Sequence, residues 1–213
     1  MRAVIFDLWD TLADWPVEPM RSYRSSVADR LGIGLDEFER RYGETYTARQ
    51  TGPLADAYRA LGLADEHLEE VLAARRERVR EALVPREGAL ETLRELRRRG
   101  KLLALISVCA GDVPELWPET PFAPLFDAAV FSATCGLMKP QPEIYLRACA
   151  ELGVEPDECL YVGDGANDEL AGARRVGMTP VLVAPDGRDL VWEEVKRWEG
   201  PRVRSLPEVL ALA

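Results

Sequence analysis

The stretch Val4-Ile5-Phe6-Asp7 closes a short apolar run at residues 3–6 with a carboxylate. A short continuous apolar run is the mark of a strand buried on both faces. Three later stretches repeat the arrangement: Leu103-Ala104-Leu105-Ile106-Ser107, Gly136-Leu137-Met138-Lys139 and Leu160-Tyr161-Val162-Gly163-Asp164, the last followed by Asn167-Asp168. In an open parallel α/β sheet, ligands bind outside the carboxyl ends of the strands. Strands ending at these positions would bring carboxylates, a hydroxyl and an ammonium to one place. That set suits a metal-assisted covalent attack on an electrophile, and it leaves histidine out.

Between the first and second of these stretches the pattern changes to helical periodicity. Met20, Tyr23, Val27 and Leu31 recur at spacings of three and four before Gly32 and Gly34. Phe38, Tyr42 and Tyr46 continue after Asp36. Pro53 opens a third helix that Gly62 stops, and Leu68, Leu72, Val79 and Leu83 define a longer fourth. After Pro85 the βα alternation resumes, with strands near 102–106, 127–132, 159–163 and 180–184 and helices near 143–152, 168–176 and 190–198. Pro114, Pro118, Pro121 and Pro124 make 111–125 an irregular loop. Alternating elements of this kind predict βαβ units. The expected fold is therefore α/β: a Rossmann-like parallel sheet core at 1–13 and 86–213, with an inserted α-helical cap at 14–85.

Bulk properties bound the function. The 213 residues suffice for one large domain, or for a core carrying a smaller insertion. A net charge of -10, from 27 Lys+Arg against 37 Asp+Glu, argues against a nucleic-acid or anionic-membrane partner. The expected partner is a small molecule, whose own anionic charge is not excluded. Cys109, Cys135, Cys149 and Cys159 show neither C-x-x-C spacing nor a histidine partner set, which fits reduced thiols. No N-terminal segment reads as a signal peptide and no apolar run reaches membrane-spanning length. The expectation is a soluble, cytoplasmic protein.

Val4-Ile5-Phe6-Asp7-Leu8-Trp9-Asp10-Thr11-Leu12 resembles the first motif of the haloacid dehalogenase superfamily of hydrolases. Ser107 matches its second motif, Lys139 in Gly136-Leu137-Met138-Lys139-Pro140 its third, and Gly163-Asp164-Gly165-Ala166-Asn167-Asp168 its fourth. The motifs stand in the family's order and span essentially the whole chain. The resemblance implies that Asp7 is the nucleophile, that Thr11 and Ser107 donate hydrogen bonds to the transferred group, and that Lys139 offsets the negative charge. It implies Mg²⁺ at a site comprising Asp7, Trp9, Asp164 and Asp168. The residue types suit these roles on their own. A carboxylate nucleophile needs no deprotonation at neutral pH, and hard carboxylate oxygens suit Mg²⁺ beside a substrate phosphate.

One departure bears on the chemistry. Phosphatases of this superfamily carry a second aspartate two residues after the nucleophile, and it protonates the leaving group; here that position is Trp9. Asp10 is the candidate replacement. Along an extended strand side chains alternate faces, which would aim Trp9 with Asp7 and turn Asp10 away, leaving Asp10 as a turn residue bonded to backbone. Haloacid dehalogenases have an aromatic residue at the same place and need no metal, yet they lack the Gly-Asp of the fourth motif. The leading expectation is a Mg²⁺-dependent phosphatase acting on a small phosphorylated molecule through an aspartyl-phosphate. The alternatives are a metal-independent 2-haloacid dehalogenase and a catalytically weak member that binds a ligand or a partner protein.

Trp9 and Trp15 are candidates to shape the substrate pocket. Arg49, flanked by Tyr46 and Gln50, is a candidate for a substrate carboxylate, as cap arginines are in the dehalogenases, set against a plain solvated helix face. His67 is the single histidine, which removes Ser-His and Cys-His triads from contention.

Overall fold

Residues 1–185 and 193–213 are described by the computed structural model. Among them, six strands form one parallel sheet: β1 (Ala3–Phe6), β2 (Leu102–Ser107), β3 (Ala128–Phe131), β4 (Cys159–Gly163), β5 (Thr179–Val183) and β6 (Arg202–Val203). Their spatial order is β3-β2-β1-β4-β5-β6. The chain lays strands on one side of β1 and then reverses to the other, and this reversal opens a crevice at the carboxyl ends of β1 and β4. In register, Phe6 lies opposite Leu105 of β2 and Val162 of β4. The residues that follow on each strand therefore meet at one edge.

Both faces of the sheet are covered, which is why its strands read as unbroken apolar runs. Val4, Phe6, Leu103, Leu105 and Val162 face a cluster shared with Leu93, Leu96 and Leu206. Ile5, Ala104, Ile106 and Tyr161 face the opposite cluster, with Tyr145, Ala148 and Leu170. The helices behind these residues are α6 (Ala89–Arg98) on the first face, and α9 (Pro142–Leu152) and α10 (Glu169–Arg175) on the second. β6 is two residues long, too short for any periodicity to announce it. The proline-rich stretch at 111–125 contains α7 (Asp112–Leu116) and 3-10 turns, and α8 (Ser132–Cys135) follows β3. Of the helix expected near 190–198, residues 190–192 lie outside the described residues. The remainder contains the short α11 (Glu193–Lys196).

Five helices without an intervening strand separate β1 from α6: α1 (Val17–Leu31), α2 (Leu35–Glu44), α3 (Tyr46–Thr51), α4 (Leu54–Ala60) and α5 (Asp65–Ala82). The sequence pattern predicts four, with Tyr46 continuing the second. The helix breaks at Thr45, whose hydroxyl donates to the Tyr42 carbonyl at 2.9 Å and competes with the helical ladder there. The block has its own apolar cluster, which includes Met20, Tyr23, Val27, Phe38, Tyr58 and Val71. Two of its ties to the sheet domain lie near the chain crossings. Val79 of α5 and Leu83 just beyond it join the Leu8–Leu12–Leu93 cluster, and Arg86 N–H donates to the Leu12 carbonyl at 2.9 Å, so the two chain crossings lie side by side.

Candidate active site

Asp7 follows directly on β1 and its N–H donates to the Val162 carbonyl of β4 at 2.9 Å. Lys139 reaches it from the loop after α8. Its Nζ lies 2.5 Å from Asp7 Oδ1 and 2.5 Å from Glu169 Oε2, with all three residues buried. Glu169 opens α10. Tyr161 O–H donates to its Oε2 at 2.7 Å and Gly165 N–H to its Oε1 at 2.9 Å. Gly163 makes room for this carboxylate, because a Cβ there would stand 2.0 Å from Glu169 Oε1. Asp164 completes the group: oxygens of Asp7, Asp164 and Glu169 all lie within 4.8 Å of one another.

Three carboxylates thus face one ammonium. Burial pushes the Asp7 carboxyl well above the ordinary range; Lys139 pulls it back, while Glu169 and Asp164 add to the rise. Burial and the Glu169 charge push Asp164 up to about 7. Burial works against the Lys139 ammonium, but Asp7 and Glu169 outweigh it and hold the amine above its usual range. The cluster carries a surplus of negative charge in a low-dielectric setting, and its donors are hard oxygens. Both properties fit a divalent cation such as Mg²⁺.

The expected metal position at Asp168 needs correction. Asn167 and Asp168 both adopt positive φ, 56° and 53°, and this turn brings residue 169 inward. Asp168 instead pairs with Arg175 at 3.4 Å, its side chain 40% exposed. Glu169 was missed because the motif count stops one residue short of it. Trp9, also named for the metal site, contributes no side-chain ligand. Its indole packs edge-on against Trp15, with centroids 5.0 Å apart at 82°.

A second correction concerns Asp10. β1 ends at Phe6, and the chain then folds into a tight turn in which Asp10 has φ 59°. Strand alternation no longer applies, and Trp9 and Asp10 both line the same cavity. The expected backbone contact is also present, since Trp15 N–H donates to Asp10 Oδ1 at 3.3 Å. The Asp10 carbonyl in turn accepts from the Arg86 guanidinium.

Thr11 and Ser107 are fully buried; the Thr11 hydroxyl has no hydrogen-bond partner among the described residues, and Ser107 has the Cys109 thiol beside it. Neither lines the cavity, where Val108 and Cys109 take the place after Ser107. Buried hydroxyls without a strong partner are uncommon, and each of these two residues is next in sequence to one that lines the cavity, Asp10 and Val108. The Cys109 thiol is buried, which pushes it up to about 12 and leaves it protonated.

The cavity, about 550 Å³, lies between the sheet edge and the helical block. Asp7, Lys139 and Asp164 form its floor, and Tyr46, Arg49 and Gln50 of α3 line the opposite side. Tyr46 O–H donates across the gap to Asn167 Oδ1 at 2.9 Å. Arg49 does not sit on a solvated face: it is buried, with its guanidinium 3.5 Å from the Tyr42 ring centroid.

Residues 1–177 match the family model of haloacid dehalogenase-like hydrolases. The chain belongs to this family. Among its relatives is the phosphoserine phosphatase of Thermus thermophilus, 35% identical over 72% of this chain and 61% of that protein. Another is (S)-2-haloacid dehalogenase 4A of Burkholderia cepacia, 26% identical over 91% of this chain and 87% of that one. The match spans less than half of two further relatives. A haloacid dehalogenase-family phosphatase of Thermococcus onnurineus superposes with a TM-score of 0.75 over 100% of this chain and 97% of its own, at 24% identity, which shows the shared fold. This chain is accordingly a hydrolase of the family, with both phosphatases and dehalogenases among its relatives. No helix among the described residues is long and apolar enough to cross a membrane.

Proposed function

We propose that the protein is a Mg²⁺-dependent phosphatase that cleaves small phosphomonoesters through an aspartyl-phosphate on Asp7. The observation that carries this reading is the convergence of Asp7, Asp164 and Glu169 around Lys139. Three carboxylates set beside one ammonium supply more hard oxygen ligands than a metal-independent displacement requires. Asp7, Asp164 and Glu169 would hold the cation, which when bound supplies positive charge to the phosphoryl oxygens.

The chain's own groups account for the rest. An Asp7 oxygen attacks phosphorus as the ester P–O bond breaks. Lys139, fixed between Asp7 and Glu169, balances charge as a dianionic group approaches a carboxylate. Asp10, on the cavity wall three positions after the nucleophile, gives a proton to the departing alkoxide. In the second half-reaction water attacks the aspartyl-phosphate and its proton passes to Asp10. Inorganic phosphate leaves and Asp7 is restored. Trp9 and Trp15 wall the cavity, and the helical block acts as a cap over it.

Phosphate release from a panel of phosphomonoesters, with Mg²⁺ and with chelator, tests the reading beside chloride release from 2-chloropropionate. Mg²⁺-dependent phosphate release is the expected result. Chloride release in chelator would instead establish the dehalogenase. Absence of both would leave a binding protein.

A further inference from the structure

The turn from Asp164 to Glu169 carries two of the three carboxylates in the acidic cluster, and its own backbone holds them. Ala166 N–H donates to Asp164 Oδ1 at 3.0 Å and Gly165 N–H to Glu169 Oε1 at 2.9 Å. Further along the turn, Asn167 (φ 56°, ψ 33°) and Asp168 (φ 53°, ψ 28°) both stand in the left-handed region. Two consecutive non-glycine residues there are strained, and such a backbone persists only where its surroundings hold it. Asp168 is tied to Arg175 of α10, an exposed pair that adds little. Asn167 is tied instead to the cap, where Tyr46 O–H donates to its Oδ1 at 2.9 Å. Tyr46 opens α3, and α3 also packs against α8, the helix that leads into the Lys139 loop. One cap helix therefore touches both segments that deliver side chains to the cluster.

Resting on the reading of Asp7, Asp164 and Glu169 as a cation site, we propose that Tyr46 is a positioning residue for that site. Its hydrogen bond to Asn167 holds the left-handed turn in the form that aims Glu169 inward. All three carboxylates belong to the sheet domain, so a residue of the helical block completes a cation site to which it contributes no ligand.

The test measures cation affinity directly, in the full chain and without substrate. Mn²⁺ is the probe, because it takes carboxylate oxygens as Mg²⁺ does and the paramagnetic resonance of the free ion counts what is unbound. The site read is the one that Glu169→Gln weakens and excess Mg²⁺ empties. Tyr46→Phe removes a single oxygen and should raise the Mn²⁺ dissociation constant about 3–10-fold, the worth of one neutral hydrogen bond. Asn167→Gly keeps the left-handed backbone accessible but loses the acceptor, and should weaken binding to a similar degree. Adding Tyr46→Phe to Asn167→Gly should then change the constant by less than about twofold, since both act on the same bond. The melting temperature of cation-free Tyr46→Phe should stay within about 2 °C of wild type, which separates positioning from a general loosening of the cap. Unchanged affinity in Tyr46→Phe, or losses that multiply in the double variant, overturn this inference and leave the cation site standing. So does a loss of affinity accompanied by a larger drop in melting temperature. Absence of any Mn²⁺ site sensitive to Glu169→Gln overturns the cation-site reading, and this inference with it.

Discussion

The two walls of the cavity carry opposite imbalances of charge. On the sheet side, Asp7, Asp164 and Glu169 share a single lysine. On the cap side, Arg49 is buried and pairs with no carboxylate among the described residues. The sheet wall is built from the ends of parallel strands, where backbone register fixes each group. The cap wall is built from short helices whose side chains depend on packing between elements. Each wall lacks what a bound molecule would bring: a cation with phosphoryl oxygens on one side, an anion on the other.

Removing the nucleophile is the most severe way to break this division. Asp7→Asn keeps the shape of the strand end and loses the attacking oxygen. Phosphate release should fall on the order of 10⁴–10⁶-fold, with unchanged circular dichroism. Substantial turnover by the folded variant would rule out the covalent route.

The next effect in size distinguishes the two residues after Leu8. If Asp10 protonates the leaving group, Asp10→Asn should slow alkyl phosphates by about 10²–10⁴-fold. Aryl phosphates, whose leaving groups need little protonation, should slow much less. Equal losses on both classes would mean that Asp10 only shapes the turn through its bond to Trp15.

The seam between the walls holds the buried Arg75–Asp112 pair, whose side chains are 3% and 5% exposed. Truncating one partner strands a buried charge. Arg75→Met should therefore lower unfolding free energy by about 3–5 kcal/mol in urea titrations. Adding Asp112→Leu to it should recover part of the loss.

The smallest effect separates two adjacent acids. Glu169→Gln should weaken the Mg²⁺ activation constant by about 10–100-fold, as losses of groups that orient metal ligands do. Asp168→Asn should leave it within about twofold, because exposed ion pairs such as Asp168–Arg175 contribute little. The reverse outcome would return the fourth motif to Asp168.

The apolar runs at 3–6, 102–106 and 159–163 were legible because strands covered on both faces leave no polar interruption. The polar residues that close these runs could be assigned to one edge before any coordinates, because parallel strands share a direction; residues 136–139, expected to end a strand too, are instead a loop after α8. Glu169 was not legible. It differs from Asp168 by one position, and two consecutive positive-φ residues decide which carboxylate turns inward. The orientation of Asp10 was misjudged for a related reason, since alternation holds only while the strand continues, and β1 stops at Phe6. Arg49 reads the same in sequence whether a helix face is solvated or covered.

By itself, then, the sequence determined the α/β alternation, the helical insertion after the first strand, and the carboxylate, hydroxyl and first acidic position at the strand ends. These follow from short-range periodicity and from the common direction of parallel strands, both written locally along the chain. Only the tertiary structure decided that Glu169 completes the acidic cluster, that Asp10 faces the cavity, and that Arg49 is buried there. Those outcomes depend on single-residue turns and on contacts between helical block and sheet, and such contacts join positions far apart in the chain that no local pattern relates.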